Sequence, residues 1–298
     1  MHNFLDLHMH SSISNDGQLS PTALMLCCKK SGLKTVALTD HNSIRGISEA
    51  KESALEIGLE LIQGIELDCQ IDGINLHLLG LGINSSQKEF DSIEKDLLAK
   101  EQEASSTRIQ LIQDLGISLD ISKVMALAIN NIVTGEMIAE VVLSDSRNLE
   151  HNLLKPYQIN GIRGDNPFVN FYWDFCSQGQ VAYVPITYMS LINAIQLIKQ
   201  SGGLAILAHP GVNVAYNYQR LENIRISGID GIEVISSYHN ENETAFYHAY
   251  TQEKHLLQTM GSDFHGKTKP SIQLGTMNCS FEAEIIYEIK RKLNTISF

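Results

Sequence analysis

The segment FLDLHMHSSISNDG, residues 4–17, places Asp6, His8 and His10 at alternate positions of a short apolar run. In an extended strand alternate side chains share a face, so these three stand opposite Leu5, Leu7 and Met9. Further along the chain, Asp40 and His41 close LKTVALTDHN, Glu66 lies in LELIQGIELDCQ and His77 in GINLHLLGLG. His209 closes LAILAHP, Tyr238 and His239 close GIDGIEVISSYHN, and Asp263 and His265 close HLLQTMGSDFHG. A lone His such as His77 is ordinarily a hydrogen-bonded core residue, and Asp16 before Gly17 is ordinarily a turn. Seven of the eleven histidines, however, fall in or at the ends of apolar, strand-like runs. Imidazole and carboxylate donors suit Zn, Mn or Fe, and a mixed set with a bridging carboxylate suits a multinuclear site.

Such a set needs elements that bring distant residues to one place. LSPTALMLCCKKSG reads as a helix with Ser20 as N-cap, Pro21 at its first position and Gly32 past its end. SIRGISEAKESALEIG is a second helix closed by Gly58, and SLINAIQLIKQSGG puts Leu191, Ala194, Ile195 and Ile198 on one stripe. Helices alternating with strands favour a parallel sheet or barrel, whose strand ends converge on one rim. From about residue 86 the texture changes. KEFDSIEKDLLAKEQEASSTRIQLIQDLG is helical and highly charged, TGEMIAEVVLS is helical with Thr134 as cap, and QINGIRGDNPFVNFYWDFCSQGQ is turn-rich and aromatic. The expected division is barrel 1–85, helical insert 86–170 and barrel 171–298.

The 298 residues are 43% hydrophobic and 19% charged, which suits a soluble globular chain with a barrel-sized core. A net charge of −12 argues against a broad basic surface for nucleic acid, so any such substrate is expected to be short or held at one end. Five cysteines without C-x-x-C spacing suit a reducing compartment. No run approaches the roughly 18 apolar residues of a membrane span. The expectation is a cytoplasmic protein.

The ordered set DLHMHSS, SNDG, LTDHN, GIELDC, HLLGLG, LAHPG and GSDFHG resembles the polymerase and histidinol phosphatase (PHP) family of metal-dependent phosphoesterases. The likeness spans nearly the whole chain outside the insert. Within the family it is most similar to stand-alone bacterial members that carry a helical insert and act on nucleoside phosphates or RNA 5′ ends. The resemblance implies a distorted (β/α)7 barrel with two or three divalent ions (Mn, Fe or Zn) at its C-terminal rim. His8, His10, Glu66, His77, His209, Asp263 and His265 match metal ligands, with Glu66 as the bridge, and Asp16 and His41 match an additional position. Attack by metal-bound hydroxide on phosphorus would follow. Asp40, Asp263 and His239 are the candidates for proton traffic, while Arg108, Arg163, Lys267 and His239 are candidates for holding substrate. In NIVTGEMIAE, Thr134, Gly135 and Glu136 stand where the resemblance leads one to expect an Arg-Pro-His-like segment. Histidinol phosphate hydrolysis is the alternative within the family. A metal-dependent amidohydrolase and a noncatalytic phosphate-binding module are the alternatives outside it.

Overall fold

The structure, a computed structural model, describes residues 3–296. The chain opens with β1 (Leu5–Asp6), α1 (Pro21–Lys30), β2 (Thr35–Leu38), α2 (Ile47–Ile57), β3 (Glu60–Ile71) and β4 (Ile74–Leu81). The helical stretch follows as α3 (Lys88–Asp114), α4 (Ile121–Leu127), α5 (Gly135–Ser144) and α6 (Pro167–Phe171), the last running into a π-helical turn over Tyr172–Cys176. The chain then returns through β5 (Met189–Ser190), α7 (Leu191–Gln200), β6 (Leu204–Leu207), α8 (Pro210–Asn213), α9 (Tyr218–Ile226), β7 (Gly231–Ser236), α10 (Glu241–Lys254), β8 (Leu257–Gly261) and α11 (Glu282–Ile296).

Local chemistry sets the ends of these elements. The Ser20 hydroxyl accepts from the Ala23 amide, and Pro21 opens α1 with φ already helical. Gly58 closes α2 at φ +63°, a conformation that costs a residue without Cβ nothing. Asn240 and Glu243 form a reciprocal capping box on α10.

Seven strands in the order β1-β2-β3-β4-β6-β7-β8 form the sheet, with β5 beside β3. The first and last strands meet through Leu7 N to Met260 O (3.0 Å), Asp263 N to His8 O (2.8 Å) and His10 N to Phe264 O (2.9 Å), so the sheet nearly closes into a barrel. The barrel is mixed rather than wholly parallel, because β4 runs antiparallel to both β3 and β6. The cause is a two-residue turn, Asp72-Gly73, with both φ angles positive (51° and 76°), which joins β3 and β4 as a hairpin within an alternation of helices and strands that favoured a parallel arrangement.

The main apolar core lies between the sheet and its helices: α7 packs on β3, β4 and β6, α10 on β7 and α11 on β8. A second cluster gathers Ile109, Ile112, Val133, Ile138, Val142, Phe171 and Phe175 and extends to Ala182. Helix α3 joins the two, with Phe90 in the barrel core and Ile109 and Ile112 in the second cluster. At about 1.5 Å per residue its 27 residues make a strut of about 40 Å. All five cysteines are free. Among the described residues no helix is long and apolar enough to cross a membrane.

Candidate metal centre

Along β3, Ile65, Leu67 and Cys69 enter the apolar core, so the pleat turns Glu66 and Asp68 to the other face. His77 on β4 pairs directly across from Asp68. His8 and His10 follow β1, His41 follows β2, His209 follows β6, and Asp263 and His265 follow β8. His209 (φ 24°) and Asp263 (φ 53°) hold backbone angles that L side chains rarely adopt, a cost of about 1–3 kcal/mol each. Such cost concentrates where side chains must be aimed.

Three sets of donor atoms lie within 4.8 Å of one another: His8, His10, Glu66 and Asp263; His10, His41 and His265; and His41, Glu66 and His77. In the first set, His8 Nε2 lies 3.2 Å from Glu66 Oε2, 3.3 Å from Asp263 Oδ1 and 3.2 Å from His10 Nε2. His10 Nε2 lies 3.1 Å from each of the same two oxygens. Four ligands about 2.0 Å from one ion stand about 3.3 Å apart, the spacing seen here. Although imidazole nitrogens lie this close, Glu66 Oε2 and Asp263 Oδ1 are buried and aligned with no hydrogen bond. Converging unpaired donors in a buried site fit a cation.

Glu66 serves two sides. Its Oε1 lies 3.0 Å from His77 Nδ1 and 3.1 Å from His209 Nε2, while Oε2 faces the first set. Beside His10 and His41, Asp16 Oδ2 lies 3.2 Å from His265 Nε2 and 3.9 Å from His41 Nε2. All nine candidate ligands of the sequence therefore meet at one rim.

Electrostatics agree with this convergence. Burial pushes the Glu66 carboxyl up, but the imidazoles of His8, His77 and His41 pull it well below the usual carboxylate range. Asp263 behaves likewise under Lys269, His8 and His265. Burial, helped by His265 and His41, pushes His10 down to about 4, leaving a neutral imidazole, the form that ligates. Burial also raises Asp6 to about 6. Its Oδ1 accepts from the amides of Ser262 (3.0 Å) and His8 (3.3 Å), so it braces the closure of the barrel.

Several supports were not legible in the sequence. Glu233, fully buried on β7, accepts from His8 Nδ1 (3.0 Å) and the His209 amide (2.8 Å), orienting one candidate ligand and anchoring the next. Its signal was a single carboxylate inside the apolar run GIEVIS. The Lys269 ammonium meets Asp263 Oδ2 at 2.5 Å and lies 4.9 Å from the centre of the Tyr238 ring. It sits in a loop without periodicity, two residues beyond the Lys267 that the sequence favoured. Ser14 holds His10 Nδ1 (3.2 Å), and Asp68 holds His77 Nε2 (3.1 Å).

The other expected residues separate. Asp40 accepts from the Ser11 amide (2.7 Å), the Ser11 hydroxyl (2.7 Å) and the Ser14 hydroxyl (2.8 Å), so both its oxygens tie the first loop. His239 accepts from the Gly211 amide at Nε2 (3.0 Å) and donates from Nδ1 to Val234 O (2.9 Å), leaving no nitrogen for a substrate. Arg163 forms a two-pronged pair with Asp174, and Lys267 pairs with Glu140 at 2.6 Å, both away from the cavity wall. Arg108 does face the cavity, but it is committed to Glu101 (3.0 Å) and to the Val133 carbonyl. Glu136 lines the cavity, and burial and then Asp16 raise its carboxyl to about 7.

Above the rim lies a cavity of about 560 Å³, walled by the strand ends, α3, α5, the π-helical turn and the return to β5. The β3–β4 hairpin tip is fastened to that return by Gln178, which accepts from the Asn75 amide (3.1 Å) and donates to Gly73 O (2.8 Å).

The PHP domain family model matches residues 6–184. The chain is 30% identical over 263 residues to a Haemophilus influenzae 5′-3′ exoribonuclease, covering 87% of this chain and 89% of the relative. It is 26% identical over 270 residues to a 3′,5′-nucleoside bisphosphate phosphatase of Chromobacterium violaceum, covering 88% and 87%. A solved metal-dependent phosphoesterase of Bifidobacterium adolescentis superposes with a TM-score of 0.76 at 26% identity, over 97% of this chain and 96% of that one. With its converging histidines and carboxylates, the chain belongs to the PHP domain family and is a metal-dependent phosphoesterase, a hydrolase of phosphate ester bonds.

Proposed function

We propose that the protein hydrolyses nucleoside phosphates or the phosphate esters at the 5′ end of short RNA. The observation that carries this reading is the cavity wall. Tyr172, Trp173, Tyr183, Tyr188 and Tyr238 line a space of about 560 Å³ that opens onto the histidine and carboxylate cluster. That volume suits a small ligand, and aromatic faces suit a base. The names of the two relatives, an exoribonuclease and a nucleoside bisphosphate phosphatase, support the same substrate class.

The candidate ligands are His8, His10, Glu66 and Asp263 for one ion, Glu66, His77 and His209 for a second, and Asp16, His41 and His265 for an additional one. Bound divalent ions supply activation of water and neutralisation of phosphoryl charge. The chain's own residues prepare that chemistry. Glu233 and Ser14 fix the imidazoles of His8 and His10 through their Nδ1 atoms, leaving Nε2 for the centre. Lys269 holds one oxygen of Asp263, so the other faces the cluster. Residues 86–170 act as the cap over barrel segments 1–85 and 171–298, with the aromatic π-helical turn just beyond the cap's end.

The test is phosphate release in the presence of Mn²⁺ from nucleoside 5′-monophosphates, 3′,5′-bisphosphonucleotides, short 5′-phosphorylated RNA and histidinol phosphate. Preference for a nucleotide or RNA supports the reading. Preference for histidinol phosphate refutes the substrate class and leaves the phosphoesterase intact.

A further inference from the structure

Three cationic side chains line the cavity: Arg108, Arg220 and Lys269. Arg108 is paired with Glu101 and Lys269 with Asp263. Arg220 alone among these three has no carboxylate partner; its Nη1 donates to Asn213 O at 2.9 Å, and its remaining donors face no protein acceptor among the described residues. On the same helix, Arg225 shows the ordinary arrangement, paired with Glu222 at 3.0 Å.

Arg220 is tied to the segment that follows His209. Its amide is held by the Asn217 cap of α9 (3.0 Å), and its guanidinium is anchored on Asn213, the last residue of the short helix that begins directly after His209. It is half-buried, so the guanidinium is partly desolvated. Asp16, Asp68, Glu94, Glu101 and Glu136 line the rest of the cavity. Glu94 and Glu101 are already paired with Arg45 and Arg108, so a substrate anion lying outside the ion cluster would meet aromatic faces, the remaining carboxylates and one uncommitted guanidinium.

We propose that Arg220 reads a second, non-scissile phosphate on the substrate, making the preferred substrate a nucleotide with two phosphate groups on one ribose. This rests on the nucleotide reading above and deepens it. A planar guanidinium with free donors takes phosphate oxygens in a two-pronged contact that a lysine cannot reproduce. The second phosphate could be a terminal monoester or the first internucleotide diester, and both present such oxygens.

The experiment compares kcat/KM of the Mn²⁺-loaded wild type and Arg220→Gln on adenosine 5′-monophosphate, adenosine 3′,5′-bisphosphate and the 5′-phosphorylated dinucleotide pApA. The wild type prefers a two-phosphate substrate over the monophosphate. In Arg220→Gln that preference ratio collapses about ten- to a hundredfold, mainly through KM, the range for losing a charged hydrogen bond. Arg220→Lys restores part of the ratio, and Arg225→Gln leaves it unchanged. Greater loss on the bisphosphate identifies a terminal monoester as the second group, and greater loss on pApA identifies a diester. A ratio unaltered in Arg220→Gln, or a wild type indifferent to the second phosphate, overturns the proposal while the nucleotide reading stands. Absence of turnover on all three overturns both.

Discussion

Replacing Lys269 with Met separates the protein's own charge balance from that of the bound ions. The ammonium and the Asp263 carboxylate are 2.5 Å apart, with side chains only 5% and 4% exposed. Lys269 also reaches the Asp263 carbonyl (3.3 Å), so it clamps a residue whose φ is 53°. Burial lowers the Lys269 pKa, but Asp263 and Tyr238 raise it further, so the ammonium stays charged. Removing one partner of a buried pair costs about 3–5 kcal/mol, because the other charge is left without compensation. For a chain of this size about 2 °C of Tm accompanies each kcal/mol, so the metal-free variant should melt roughly 6–10 °C below the metal-free wild type. Divalent ions would supply Asp263 with a new counter-charge at Oδ1. The deficit should therefore narrow when both proteins are melted with saturating Mn²⁺. By linkage, a narrower deficit means that the variant binds Mn²⁺ no more weakly than the wild type. Its turnover should still fall, since the carboxylate is free to rotate and offer both oxygens. Thermal melts with and without Mn²⁺, together with a Mn²⁺ titration, test this. An equal deficit in both states, or weakened Mn²⁺ binding in the variant, would refute the reasoning.

His8→Ala removes a donor from the first set, so metal content measured by elemental analysis should drop together with phosphate release, while far-ultraviolet circular dichroism stays native. Full activity in that variant would falsify the ligand assignment. Glu233→Gln keeps the shape but weakens the partner of His8 Nδ1, and metal affinity should fall about 10- to 100-fold in a competition titration. An affinity equal to wild type would mean that Glu233 does not orient the imidazole. Asp40→Asn cannot accept all three of its present hydrogen bonds with both oxygens, at a cost of about 1–3 kcal/mol in urea unfolding. Its kcat should fall without a change in the shape of the pH–rate profile. Loss of a titrating limb would instead restore Asp40 as a proton acceptor.

The contrast between these residues shows what a sequence carries on its surface. His8, His10, His41, His209, Asp263 and His265 stand at the ends of apolar runs, so a rule of local pattern, that strand ends share a rim, was enough to bring them together. Glu66 and His77 lie within strands, where a lone polar residue is ordinarily structural, and it was the resemblance to the PHP family that marked them as ligands. The antiparallel β4 was less legible: Asp72-Gly73 is a short hairpin signal, outweighed in reading by the helix and strand alternation around it. The supporting cations were not legible at all. Lys267 and Lys269 are two residues apart in one loop, and only the long-range packing of α5 gives Lys267 to Glu140 and leaves Lys269 buried against Asp263. Arg163 and Arg220 differ in the same way, since Asp174 takes the first and no carboxylate takes the second. Whether a cation is available for substrate thus depends on which carboxylates the fold brings within about 4 Å, where Coulomb attraction is large enough to commit it. Spacing along the chain cannot encode that. It also explains why a net charge of −12 is compatible with an anionic substrate. Glu94 and Glu101 are matched by Arg45 and Arg108, Glu66 and Asp263 converge with the histidines where a cation fits, and the wall leaves one guanidinium unmatched.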